Sequence, residues 1–140
     1  MTKRSGGLHE AIGKVTDRNA PDGAWVIANV VGMGVEFDFW DEGVGIESFK
    51  KSLPDDCVCF CLFSCRLTYE GVPNVNRIVF IHWKGPNVRG MKMVKSNQLT
   101  QMAWDVLEPH HGQLEVLNKS EITKEVLLQK LDPRAGTHVV

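Results

Sequence analysis

Four cysteines lie within the segment DDCVCFCLFSCRL (55–67), a density that suggests metal binding, a disulfide or redox chemistry. Zinc ligands usually come as pairs on turns, with a second pair elsewhere in the chain, whereas these thiols lie in one continuous apolar run. Neighbouring same-face residues on a strand are about 7 Å apart, too far for an undistorted disulfide. The pattern favours a strand in which Cys57, Cys59 and Cys61 share one face and pack as small apolar residues. We expect partial exposure only for Cys65, which lies between polar residues.

The five histidines form no HExxH motif and no spaced pair of metal ligands. His82 lies between two apolar residues of a predicted strand, and we expect its ring to be buried or half-buried with its hydrogen bonds satisfied. His110 and His111 lie in a predicted turn and are expected to be solvated. The segments GMG (32–34) and GPNVRG (85–90) lack the residues that complete a phosphate-binding loop. The sequence therefore predicts no enzymatic activity, no cofactor and no metal site.

The composition describes an ordinary globular protein, because 43% of the 140 residues are hydrophobic and 24% are charged. This length fits one domain (1–140), for which we expect a core over about 8–131, a flexible N-terminus (1–7) and a C-terminal tail (132–140). Lys and Arg number 16 and Asp and Glu 17, and the formal net charge of −1 argues against a general nucleic-acid binder. We find no apolar run long enough for a signal peptide or a transmembrane segment, and we expect a cytoplasmic protein with reduced thiols.

Hydrophobic periodicity predicts four helices and five strands. The helices are expected over 8–15, 46–53 and 88–107, with a last helix that Asn118 and Glu121 open and that ends at Leu131. The strands are expected over 24–32, 35–40, 57–63, 77–83 and 114–117. A loop over 68–74 is expected between the third and fourth strands, which are apolar on both faces and so must be covered on both. The order predicts an α/β fold of the α+β type, with a central mixed sheet of five to six strands between about four helices.

Basic residues are frequent in the second half of the chain, where their usual role is to form a solvated surface. They include Arg77, Lys84, Arg89, Lys92, Lys95, Lys124, Lys130 and Arg134. Lys95 falls on the apolar arc of the predicted long helix. Either the helix bends at the poor helix formers Ser96 and Asn97, or Lys95 lies at an interface.

One string of residues, W-x-G-x-N-V-x-G from Trp83 to Gly90, is fairly specific. With the flanking sequence RIVFIHWKGPNVRGMKMVK (77–95), it resembles the actin-depolymerising-factor homology (ADF-homology) domain, and in particular its coactosin branch. Trp25-Val26, Asp55-Asp56 and LEVLNKSEI (114–122) also fit, and the similarity extends over nearly the whole chain. The resemblance implies the ADF-homology (gelsolin-like) fold, in which a mixed sheet lies between helices.

The resemblance also implies a function, which is binding to the side of actin filaments and modulation of filament dynamics without catalysis. Arg77 matches a basic position that opens a strand and contributes to filament binding in the family. Met91, Lys92 and Lys95 match the start of the long helix, which faces actin in the family. A basic position after the last helix fits poorly, because Asp132-Pro133 occupy it. The implied actin-binding residues are Arg77, Arg89, Met91, Lys92, Lys95, Lys130 and Arg134.

Other functions stay open at this point. A cofilin-like protein would bind actin monomers and depolymerise filaments, and the same basic surface would also suit phosphoinositides. A hypothesis from another class is a thiol- or zinc-dependent protein that uses Cys57, Cys59, Cys61 and Cys65. Our expectation is a monomer in the cytoplasm and on the cytoskeleton, with filamentous or monomeric actin as its partner.

Overall fold

The structure, a computed structural model, describes residues 3–4, 6–31, 36–88 and 98–131, which form six strands, four α-helices and a short 3-10 helix. The strands are β1 (Lys3–Arg4), β2 (Ala24–Val31), β3 (Glu36–Val44), β4 (Val58–Tyr69), β5 (Val72–Lys84) and β6 (Gly112–Val116). The helices are α1 (Gly6–Thr16), α2 (Ile46–Ser52), α3 (Thr100–Val106) and α4 (Lys124–Leu131), and a short 3-10 helix covers Lys119–Glu121.

The six strands form one mixed sheet in the order β1-β3-β2-β4-β5-β6. Strands β3, β2, β4 and β5 pair antiparallel, whereas β1 pairs parallel with β3 and β6 pairs parallel with β5. Helices α1 and α3 pack on one face of the sheet, and α2 and α4 pack on the other. The predicted class, a mixed sheet between helices in one α+β domain, is confirmed.

Strand β4 lies inside the sheet and divides its side chains between two apolar cores. Phe60 and Leu62 pack on the side of α1, whereas Cys59 and Cys61 pack on the side of α2 and are fully buried. Burial raises the pKa of Cys59 to about 12 and the pKa of Cys61 well above its ordinary value, so both thiols stay protonated. The prediction that cysteines fill this strand is confirmed for both residues.

The prediction of partial exposure for Cys65 is wrong. Cys65 is fully buried, and burial raises its pKa to about 11. Its neighbour Ser64 is polar but also buried, because its hydroxyl donates a hydrogen bond to the carbonyl oxygen of Pro21 (3.1 Å). The half-exposed thiol is Cys57, which precedes the first residue of β4.

The hairpin formed by β4 and β5 is longer than predicted. The expected loop over 68–74 shrinks to a turn of Glu70 and Gly71, and Tyr69 pairs directly with Val72. Both turn residues have positive φ (51° and 82°), which is the conformation of a two-residue hairpin turn. The paired strands therefore extend past the apolar core, into a region where their side chains are exposed or half-buried.

The predicted last helix divides into two parts. The Asn118 side chain accepts a hydrogen bond from the N–H of Ser120 (2.9 Å), and this contact opens the 3-10 helix and not a long α-helix. Helix α4 begins afterwards, and the hydroxyl of Thr123 accepts a hydrogen bond from the N–H of Val126 (3.2 Å) at its start. Helix α4 extends to Leu131, which is the last of the described residues.

Some predictions concern residues at the edges of the described ranges. Near the N-terminus, Lys3–Arg4 pair with β3, and α1 begins at Gly6, two residues before the expected start of the core at about residue 8. The first half of the predicted long helix (89–97), its bend at Ser96-Asn97 and the tail 132–140 lie outside the described residues. Among the residues that the structure does describe, no helix is both long and apolar enough to cross a membrane.

Strand β3 carries two aspartates that hydrogen-bond to its own backbone. Asp38 accepts a hydrogen bond from the N–H of Phe39, and Asp41 accepts one from the N–H of Glu42, both at 2.8 Å. Beyond Phe37, β3 pairs only with β2 among the described strands. Two backbone N–H groups of β3 are therefore occupied by side chains of the same strand, which makes β3 a poorer template for another chain.

Candidate functional site

The predicted site residues fall into two groups. Arg77 in β5 and Lys130 in α4 lie in the described part of the chain, where Arg77 is half-buried and Lys130 is exposed. Five predicted residues lie outside the described residues, and these are Arg89, Met91, Lys92, Lys95 and Arg134.

A close contact between β6 and α4 relates the first two residues. Gly112 in β6 pairs with Val79, which follows Arg77 by two positions in β5. A Cβ atom on Gly112 would lie 2.4 Å from the carbonyl oxygen of Lys130, so only glycine allows the end of α4 to approach the sheet this closely. The structure thus places Arg77 and Lys130 at the same end of the sheet, on packed elements.

His111 lies at this end and binds β5 through both its backbone and its ring. Its N–H donates to the carbonyl oxygen of Ile78 (2.7 Å), and its ring Nδ1 accepts a hydrogen bond from the N–H of Ile78 (3.0 Å). After burial, the positive charge of Arg77 is the next cause that lowers the pKa of the ring. His111 is exposed as predicted, but His110 is half-buried and packs against Trp104. No sequence pattern identifies His111, because a histidine pair after a proline matches no motif.

Arg66, near the same end, has a structural role. Its guanidinium donates hydrogen bonds to three backbone carbonyl oxygens, those of Arg18, Ala20 (2.8 Å) and Asn74 (2.9 Å). Two of these carbonyls belong to the segment after α1, and the third belongs to the β4–β5 hairpin. Arg66 therefore joins that segment to the hairpin.

Two lysines of the basic pattern form ion pairs within the protein. Lys124 forms an ion pair with Asp22 (2.9 Å). Burial alone would raise the pKa of the Asp22 carboxyl, but the hydrogen bonds that Asp22 accepts from the backbone of Arg66 and from Lys124 outweigh burial, so its pKa is lowered. Lys84 is buried and binds Glu115 (2.7 Å), and this hydrogen bond lowers the pKa of Glu115. Neither lysine belongs to a simple solvated surface.

The residues of the W-x-G-x-N-V-x-G string fix the turn after β5. The indole N–H of Trp83 donates to the carbonyl oxygen of Pro54 (2.7 Å), and the N–H of Asn87 donates to that of Asp55 (2.8 Å). A Cβ atom on Gly85 would lie 2.4 Å from the carbonyl oxygen of Asp55, which explains the glycine. The turn is thereby attached to the segment before β4, and it sets where the chain continues towards residue 89.

His82 differs from its prediction, because it is buried but not satisfied. Only 3% of the residue is exposed, and neither ring nitrogen has a hydrogen-bond partner among the described residues. The ring stacks on Phe60, with ring centroids 4.5 Å apart. Burial lowers the pKa of His82, and so does the nearby positive charge of Lys84. The negative charge of Glu115 acts in the opposite direction, and the resulting pKa is about 4. The ring is therefore neutral near pH 7.

The described residues offer little else for catalysis or metal binding. They contain no group of three or more His, Cys, Asp or Glu side chains that could hold a metal ion. A cleft of about 390 Å³ lies between α1 and the β2–β3 hairpin, and an ion pair between Lys14 and Glu42 (2.8 Å) lies among its mainly apolar walls. The chemistry at the Arg77 end of the sheet is that of hydrogen-bond donors and positive charge.

Comparison with known proteins relates the whole chain to one family. The sequence profile of the family described as "Cofilin/tropomyosin-type actin-binding protein" matches residues 1–132. No curated protein has a sequence that matches this chain at a significant level.

Several solved structures share the fold at low sequence identity. Coactosin from Entamoeba histolytica is 17% identical, covering 93% of this chain and 92% of its own, with a TM-score of 0.74. Human coactosin-like protein is 18% identical, and the match covers 94% of this chain and 98% of the human chain, with a TM-score of 0.75. Streptomyces griseoflavus cofilin is 14% identical, and the match covers 94% of this chain and 97% of the cofilin chain, with a TM-score of 0.73.

Proposed function

This chain belongs to the cofilin/tropomyosin-type actin-binding protein family, and from that premise we propose that it binds the side of actin filaments and modulates their dynamics without catalysis. The string from Trp83 to Gly90, which is fairly specific for the coactosin branch, favours this branch. A structure of mouse coactosin, described as an actin filament binding protein, covers 99% of this chain at a TM-score of 0.72. The proposed location is the cytoplasm, on the cytoskeleton.

The observation that carries the proposal is the placement of Arg77 and Lys130 at one end of the sheet. Both are cationic residues, and β6 joins the elements that carry them, because it pairs with β5 and its Gly112 contacts the end of α4. Other basic residues nearby, Arg66 and Lys124, are held by internal hydrogen bonds. Cations on a rigid frame steer and orient an acidic partner such as actin. The remaining predicted contacts are Arg89, Met91, Lys92, Lys95 and Arg134.

We propose that the protein acts as a monomer. Two backbone N–H groups of β3 are occupied by aspartates of the same strand, which disfavours pairing of β3 with another copy. A single actin-binding surface per molecule would then bind filaments without crosslinking them. Sedimentation equilibrium of the purified chain would measure the molar mass directly.

High-speed co-sedimentation with filamentous actin, paired with a filament-disassembly assay, tests the proposal. We expect the protein to pellet with filaments, more weakly as salt rises, without accelerating disassembly. Accelerated disassembly would instead establish the cofilin-like alternative. Absence of pelleting at low salt would contradict both functions.

A further inference from the structure

His111 is held in one tautomer by its contact with β5. Its Nδ1 accepts the N–H of Ile78 at 3.0 Å, and a backbone amide only donates. Nδ1 therefore carries the lone pair, and in the neutral ring the proton is on Nε2. Partial burial of the ring, followed by the charges of Arg77 and His110, lowers the pKa of His111 and favours this neutral form.

This tautomer makes the outer nitrogen of an exposed side chain a hydrogen-bond donor. Arg77, whose charge acts on the same ring, carries N–H donors and no acceptor. Lys130, on the packed end of α4, likewise carries only donors. The side chains of His111, Arg77 and Lys130 thus all offer hydrogen-bond donors, which suit a partner that carries an acceptor. The anionic acceptor among protein side chains is the carboxylate.

We propose that His111 is a second recognition residue beside Arg77, and that its Nε2–H and the Arg77 guanidinium bind acidic side chains of actin. This inference rests on the proposed function. The role goes beyond holding β6 against β5, since that structural contact uses only the backbone and Nδ1 of His111. A variant that keeps the acceptor and removes the donor separates the two roles.

The variants His111→Gln and His111→Glu form such a matched pair. Both side chains carry an oxygen that can accept the N–H of Ile78, but only glutamine also carries a donor. We expect His111→Gln to bind filaments within about threefold of the wild type. We expect His111→Glu to lose at least about tenfold in affinity, because it removes the donor and places a negative charge beside Arg77.

Binding is measured by co-sedimentation at pH 8, where histidine is neutral, with thermal unfolding of each variant as a check on folding. Equal binding of the glutamate variant and the wild type would overturn the inference, as would an equal loss in both variants. Long-range ¹H–¹⁵N spectra of the wild type give a readout independent of mutation. A ring proton found on Nδ1 would also overturn the assignment.

A wild-type protein that does not pellet would contradict the proposed function itself. Normal pelleting of the wild type, weakened by Arg77→Ala but not by either His111 variant, would contradict only the role of His111. In the double variant Arg77→Ala/His111→Glu, we expect the loss to be smaller than the sum of the two single losses, since the residues share one surface. Strictly additive losses would contradict a shared surface.

Discussion

Arg77 is a half-buried cation at the end of the sheet where α4 packs on β6, and its removal should weaken filament binding. We expect Arg77→Ala to reduce affinity about tenfold, or about 1.4 kcal/mol, because one oriented charge is lost from the interface. Co-sedimentation measures the change. The matched control is Lys51→Ala, which removes an exposed lysine from a different helix, α2. An equal loss in the control would show a general charge effect and not a site.

His82 makes the stability of the protein depend on pH. Its pKa falls from an ordinary 6.5 in the unfolded chain to about 4 in the fold, so the unfolded state binds the proton more tightly. Its contribution to the free energy of unfolding is present above pH 6.5 and is lost as the pH falls towards 4. The loss is up to about 3 kcal/mol.

The variant His82→Phe keeps the ring contact with Phe60 and has no group to protonate. We expect its free energy of unfolding to fall less than that of the wild type between pH 7.5 and pH 4.5, as measured by urea denaturation. If both proteins lose the same free energy over this range, His82 does not cause the dependence.

At the scale of elements, the position of α4 depends on the absence of a side chain at Gly112. Gly112→Ala would place a Cβ atom 2.4 Å from the carbonyl oxygen of Lys130, and α4 must move away from β6. We expect a loss of about 1–3 kcal/mol in the free energy of unfolding. Gly13→Ala is the control, because a Cβ atom there meets nothing within 4 Å and α1 should gain up to about 1 kcal/mol. Thermal unfolding that ranks the two variants in the opposite order would contradict this account.

The helices and strands could be predicted wherever apolar residues recur at the spacing of a helix or a strand. The central strands are apolar on both faces, and the stripe of α1 is regular, so burial alone identifies them. The extension of the β4–β5 hairpin was not predicted because Gly71, Pro73 and Asn74 are typical of a loop, and its pairing depends on the Glu70-Gly71 turn. Strand β1 was missed because two residues have no period. The burial of Cys65 was missed because it depends on contacts made by distant residues, such as Pro21 with Ser64.

The site was predictable only in part. Arg77 is a candidate only through family resemblance, since a basic residue at the start of an apolar run has no special pattern of its own. The reason for Gly112 is its contact with Lys130, which lies eighteen residues further along the chain. The tautomer of His111 depends on Ile78, thirty-three residues earlier. Contacts at such separations follow from the topology of the sheet, which the sequence pattern does not specify uniquely.

For the whole molecule, two cores on either side of the sheet determine how the thiols react. Cys59, Cys61 and Cys65 belong to the core under α2 and α4, and burial raises the pKa of each. We expect one fast-reacting thiol per native molecule, Cys57, and four after denaturation. Titration with a chromogenic disulfide, with and without denaturant, measures both numbers. Fast reaction of two or more native thiols would show that the core under α2 opens readily.

The half-exposed position of Cys57 offers a natural place for a fluorescent reporter. Its carbonyl oxygen accepts the N–H of Gly85 (3.1 Å), so it lies against the turn that leads towards the predicted actin contacts at residues 89–95. A maleimide dye would attach at this one position without any cysteine being removed. Polarisation of that dye would follow filament binding in solution, with the rest of the sequence left as it is.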